Sequence, residues 1–109
     1  VSAGSELDDY QLAAARTINR SLTDEQRLLD AAAGLAEEAG EVLAHVRKHL
    51  MQGRELDREA VARELGDALW CIAIVARSLD VPLSEVAARN LDKLATRYPE
   101  GFPAPDGRD

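Results

Sequence analysis

Cysteine, tryptophan, phenylalanine and methionine each occur once in the 109 residues, and tyrosine twice. A single cysteine excludes an intramolecular disulfide and a cysteine-built zinc site. With aromatic residues at 4%, a core must be assembled from Leu, Val, Ile and Ala. No run approaches the roughly 20 apolar residues of a membrane-spanning helix, and no signal peptide is visible, so a reducing cytoplasm is the expected location. Positive charge is also scarce: 13 Lys and Arg against 20 Asp and Glu leave a net charge of −7. That disfavours a nucleic-acid polymer as partner, because binding one needs excess Lys and Arg against its phosphates. Small phosphate-bearing substrates stay open where metal ions stand between the charges. The remainder, 46% hydrophobic and 30% charged, suits a soluble globular chain of one domain or half of a symmetric one.

Hydrophobic periodicity predicts four helices with short connections and no internal repeat. Residues 1–6 read as a flexible start, 7–99 as the helical domain and 100–109 as a loose tail unless Phe102 anchors it. The first helix is expected over about Leu7–Arg20, with Leu7, Tyr10, Ala14 and Ile18 at helical spacing. Thr23 and Gln26 fit a capping box for the second, which runs to about Met51. Its apolar stripe is Leu28, Ala32, Leu35, Ala39, Val42, Val46 and Leu50. Gly34 and Gly40 inside it imply close helix packing or room for a ligand. Gly53 is a plausible C-cap. Asp57 caps the third helix, which reaches about Leu79, and Ser84 caps the fourth, about Glu85–Tyr98. The third helix carries Val61, Leu65, Ala68, Ile72, Val75 and Leu79 on one face, and Trp70, Cys71 and Ile74 nearly opposite. A helix apolar all round is buried on all sides, which implies a homo-oligomer around it. The fold class is all-α, a four-helix bundle-like arrangement with antiparallel neighbours.

Two carboxylate pairs share one spacing. Glu38 and Glu41 stand three apart on the second helix, and Glu64 and Asp67 three apart on the third. Such pairs project from one side of a helix, here at the edges of the apolar stripes. Antiparallel packing would bring four carboxylates together, and four inward carboxylates stay ionised only if cations neutralise them. Oxygen ligands select Mg²⁺, Mn²⁺ or Ca²⁺ over zinc, and Mg²⁺ on carboxylates most often serves phosphate transfer or hydrolysis. The bland alternative is two solvated helix edges. A di-iron bundle would need a Glu-x-x-His pair on each of two helices; His45 and His49 instead follow Glu41 by four and eight residues. On the fourth helix Asn90, Lys93 and Arg97 line one face, suited to phosphate oxygens or simply to solvent.

The segments Gly34-Leu35-Ala36-Glu37-Glu38-Ala39-Gly40-Glu41, Glu64-Leu65-Gly66-Asp67-Ala68-Leu69-Trp70, Asn90-Leu91-Asp92-Lys93-Leu94 and Arg97-Tyr98-Pro99-Glu100-Gly101-Phe102, in this order, resemble the MazG-like family of all-α nucleoside triphosphate pyrophosphohydrolases. The resemblance covers about Tyr10 to Phe102. It implies cleavage of a nucleoside triphosphate to monophosphate and pyrophosphate, with Mg²⁺ or sometimes Mn²⁺, in nucleotide-pool sanitation. By position it makes Glu38, Glu41, Glu64 and Asp67 metal ligands and Glu37 a holder of the attacking water. Asn90, Lys93, Arg97 and Tyr98 would contact the triphosphate. It also implies a homodimer or homotetramer with sites near subunit interfaces. Gln11 and Trp70 are candidates for base recognition, one by its amide and one by stacking; a core or interface anchor is the other reading of Trp70, and plain surface that of Gln11. The competing functions are a non-catalytic helical interaction module and a hydrolase of another phosphoanhydride nucleotide.

Overall fold

The computed structural model describes residues 3–103. It consists of α1 (Ala3–Ala15), α2 (Asp24–Gln52), α3 (Arg58–Ser78) and α4 (Leu83–Arg97), with no β-strand among the described residues. The expected start at Leu7 is corrected: α1 begins at Ala3, inside the stretch read as loose, while Val1 and Ser2 lie outside the described residues. Its end also falls earlier than Arg20. From Arg16 to Ile18 the backbone N–H groups bond three residues back, and Thr17 Oγ1 donates to the Ala14 carbonyl at 2.7 Å. A threonine that takes a backbone carbonyl in this way competes with helix continuation. Ile18 still turns inward and is buried.

The remaining boundaries follow local chemistry. Thr23 and Gln26 form the capping box of α2, each side chain meeting the other's backbone N–H. Gly53 closes α2 at φ 66°, a left-handed conformation that suits a residue without Cβ, and its N–H bonds to Lys48 O. Asp57 accepts from Ala60 N at the start of α3. The end of α3 is a Schellman motif: Asp80 takes φ 57°, its N–H bonds to Arg77 O, and Val81 N–H bonds to Ala76 O.

The start of α4 departs from expectation. Pro82 is the cap residue and supplies no side-chain bond. Ser84 is therefore not the cap. Its N–H and its hydroxyl both donate to the Asp8 carboxylate, at 2.9 and 2.8 Å. The cap comes from α1, a non-local partner that no pattern around Ser84 encodes.

The central element is α3, packed against each of the other three helices; α1 also packs on α4, whereas α2 packs on α3 alone. The α2–α3 pair is antiparallel, since Ala31 clusters with Ile74, Gly34 meets Cys71, and Glu38 lies by Glu64 and Asp67. A Cβ at Gly34 would stand 2.9 Å from Cys71 Sγ, so this glycine sets the approach of the two helices. Ala14, Ile18, Ala31 and Ile74 form the core cluster, flanked by Tyr10, Trp70 and Val75. The radius of gyration, 17.2 Å, exceeds the about 13 Å of a closed chain of this size. With α2 packed on α3 alone, the four helices do not close into a bundle by themselves. Phe102 is exposed but its ring packs on Tyr98 at 5.3 Å, so the start of the tail folds back on α4. Residues 104–109 lie outside those described.

Candidate metal centre

The antiparallel register of α2 and α3 sets the carboxylates opposite one another. Oxygens of Glu38, Glu64 and Asp67 lie within 4.8 Å of one another. Glu41 does not join this trio. Its carboxylate instead lies with Glu64 and the imidazole of His45, again within 4.8 Å. The four predicted ligands are thus arranged as two groups that share Glu64.

The electrostatics carry the mark of a crowded anionic site. Glu38 and Glu64 are half-buried, Asp67 and Glu41 exposed. Burial, and then the charges of Glu64 and Asp67, push the Glu38 carboxyl above its ordinary range. Glu38 Oε2 is buried and has no hydrogen-bond partner. A buried carboxylate oxygen without a donor is costly, and a bound cation is one way to satisfy it. The oxygen donors suit a hard divalent cation such as Mg²⁺ or Mn²⁺. The residues present therefore fit the metal that the resemblance implies.

Two further side chains border the centre. Burial, then Glu38 and Asp67, push the Cys71 thiol up, so it is a protonated packing residue under the carboxylates. Tyr10, an α1 side chain packed against the core cluster, has its phenol pushed up by burial and then by the charges of Asp67 and Cys71. Cys71 stands one turn beyond Asp67 and was visible by spacing. Tyr10 reaches the site through tertiary packing and had no local signal.

The other candidates are scattered. Glu37 is exposed on α2. Asn90 lines an apolar hollow of about 360 Å³ with Leu7, Leu69 and Leu83. Lys93 and Arg97 are exposed, and among the described residues no ion pair or hydrogen bond links them to the carboxylates. The Arg97 guanidinium lies over the Tyr98 ring, 5.8 Å from its centroid.

Gln11 is corrected. It is buried at 8% exposure, and its amide nitrogen donates to Ala73 O and Val81 O, both at 3.1 Å. Its oxygen accepts from Leu83 N at 2.9 Å. Both N–H donors are spent on the backbone, which leaves none for a base edge. Trp70 is half-buried against the core cluster, and its indole N–H donates to Thr17 Oγ1 at 2.7 Å. It anchors α3 to the end of α1.

Comparison with known proteins agrees with this geometry. The family model for the MazG nucleotide pyrophosphohydrolase domain matches residues 26–102, which contain both carboxylate pairs and α4. The Gene 37 protein of Mycobacterium phage L5 is 42% identical over 72 residues, covering 62% of this chain and 63% of that protein. The chain thus spans less than two thirds of that relative's length. No solved structure matches significantly. Among the described residues, no helix is long and apolar enough to cross a membrane. With all-α architecture, paired carboxylates on α2 and α3 and a match over most of its length, the chain belongs to the MazG nucleotide pyrophosphohydrolase domain family.

Proposed function

We propose that the protein is a Mg²⁺-dependent nucleoside triphosphate pyrophosphohydrolase that works as a homo-oligomer in nucleotide-pool sanitation. The observation that carries this reading is the buried, unpartnered Glu38 Oε2 within a trio of carboxylates. Glu38, Glu41, Glu64 and Asp67 would hold the cations. A divalent cation there supplies charge neutralisation on phosphate oxygens and a lowered pKa for bound water. Glu37, exposed beside Glu38, is the residue proposed to orient the attacking water. Attack of that water on phosphorus would break the bridge between the α and β phosphates, giving monophosphate and pyrophosphate and passing one proton to solvent. Asn90, Lys93, Arg97 and Tyr98 are proposed to hold the triphosphate.

An apolar face that one copy leaves uncovered supports the oligomer. On α3, Leu65 and Leu79 are 55% and 59% exposed, and Ile72 lies between them on the same face. This is the apolar face the sequence pattern reads most clearly. A row of exposed leucines flanked by polar residues marks an interaction surface. A second copy on this face would bury it.

The test is product analysis on a panel of canonical and damaged deoxyribonucleoside and ribonucleoside triphosphates. Monophosphate and pyrophosphate in equal amounts with Mg²⁺, and none with EDTA, is the expected result. Silence across the panel from a folded oligomer would favour an interaction module. Turnover only of another phosphoanhydride would move the substrate class.

A further inference from the structure

The two histidines of α2 stand one turn apart and do different work. His49 Nδ1 donates to Arg54 O at 2.6 Å and so fixes the turn after α2. His45 forms no hydrogen bond among the described residues. It is half-buried, and a ring nitrogen lies within 4.8 Å of carboxylate oxygens of both Glu41 and Glu64. Glu41 and His45 are four apart on one helix, so their side chains share a face, and Glu64 approaches from the antiparallel partner.

We propose that His45 is a metal ligand, and that the centre has two unlike cation positions joined by Glu64. This rests on the reading of the α2–α3 carboxylates as a metal centre. One position is built of oxygen alone, from Glu38, Glu64 and Asp67. The other is mixed, from Glu41, His45 and Glu64. The four carboxylates inferred from spacing do not include a nitrogen donor. The orphaned Glu38 Oε2 belongs to the first position, and the shared Glu64 ties the second to it.

Donor chemistry gives the two positions different preferences. Mg²⁺ favours oxygen ligands and retains several waters. Imidazole shifts preference toward Mn²⁺, and further toward Co²⁺ and Zn²⁺. The mixed position is therefore the one that selects Mn²⁺ over Mg²⁺.

The experiment loads the full chain with Mn²⁺ alone and records electron spin-echo modulation together with a binding titration. Wild type is expected to show modulation from a coupled imidazole nitrogen. His45→Ala and His45→Gln lose it, and Mn²⁺ affinity at one position falls about tenfold or more. Mg²⁺ affinity, titrated in parallel, falls less. His49→Ala keeps the nitrogen signal. Nitrogen coupling that is absent from wild type, or that survives both His45 variants, would overturn the proposal. If Glu64→Gln abolishes Mn²⁺ binding while His45→Ala leaves both affinity and signal unchanged, the carboxylate centre stands and the role of His45 falls. If wild type binds no Mn²⁺, both fall.

Discussion

Two polar regions of this small helical protein are built in opposite ways. Around Gln11 and Asp8, where α1 meets the α3–α4 turn, each side-chain oxygen and nitrogen has a backbone or hydroxyl partner. Around Glu38, where α2 meets α3, carboxylates crowd one another and a buried oxygen has none. The first region holds the fold together by satisfying groups that burial would otherwise penalise. The second keeps an unmet demand for positive charge. Polarity at a helix contact does not identify function; here the unmet oxygen lies inside a carboxylate trio.

The sharpest way to break the contrast is to remove charge from the second region. Glu64 belongs to both ligand groups. Glu64→Gln should lower pyrophosphohydrolase activity by at least about a hundredfold, with helical content by circular dichroism unchanged. Activity within a few-fold of wild type would show that the carboxylates are only a solvated edge.

Removing polarity from the first region should do the reverse. Gln11→Ala leaves Leu83 N and two carbonyls without their partner. A loss of about 2–4 kcal/mol in urea unfolding is expected, at about 1–3 kcal/mol for each buried group left unmet and partial rescue by water. Turnover per folded molecule should not change. A change in base preference with unchanged stability would return Gln11 to the substrate.

Packing beneath the centre gives a smaller effect. Gly34→Ala gains about 1 kcal/mol of helix propensity but drives its methyl against Cys71 Sγ. Overpacking of about 1–3 kcal/mol should win, and Cys71→Ala should recover part of it. A double-mutant cycle with no coupling would show that the helices meet elsewhere.

The smallest effect concerns pH. Glu38 has a raised pKa in the folded state. Between the ordinary carboxylate value and that raised value, the folded chain holds more protons than the unfolded one. Metal-free stability therefore falls as pH rises through this window and is flat above it. Glu38→Gln should flatten the profile in EDTA and raise the melting temperature at neutral pH, while reducing the shift caused by Mg²⁺. A wild-type profile that is flat in EDTA would mean that Glu38 carries no such burden.

The sequence made part of this contrast legible. The capping box at Thr23, the Gly53 terminus and the Asp57 cap are local patterns, and each stands where expected. The carboxylate pairs were equally legible, because spacing on a helix fixes which side chains share a face. Their division into two groups was not, since it depends on how far α2 and α3 slide past each other. Gln11 differs, because a lone amide suggests a ligand contact whereas this one bonds the backbone of the α3–α4 region. Its position, one turn from Leu7 and from Ala14 on the apolar stripe, already placed it inside. Asp8 serving as the cap of α4 is a contact across 76 residues of sequence, which no local pattern can show. The clearest apolar stripe, through Leu65, Ile72 and Leu79, is the one a single copy leaves open.

The most direct test of the carboxylate centre is calorimetric titration of Mg²⁺ into wild type and into Glu64→Gln at matched oligomer mass. Saturable binding by wild type, lost in a folded Glu64→Gln protein, is the expected result. Equal binding by the two, or none by wild type at millimolar Mg²⁺, would contradict it.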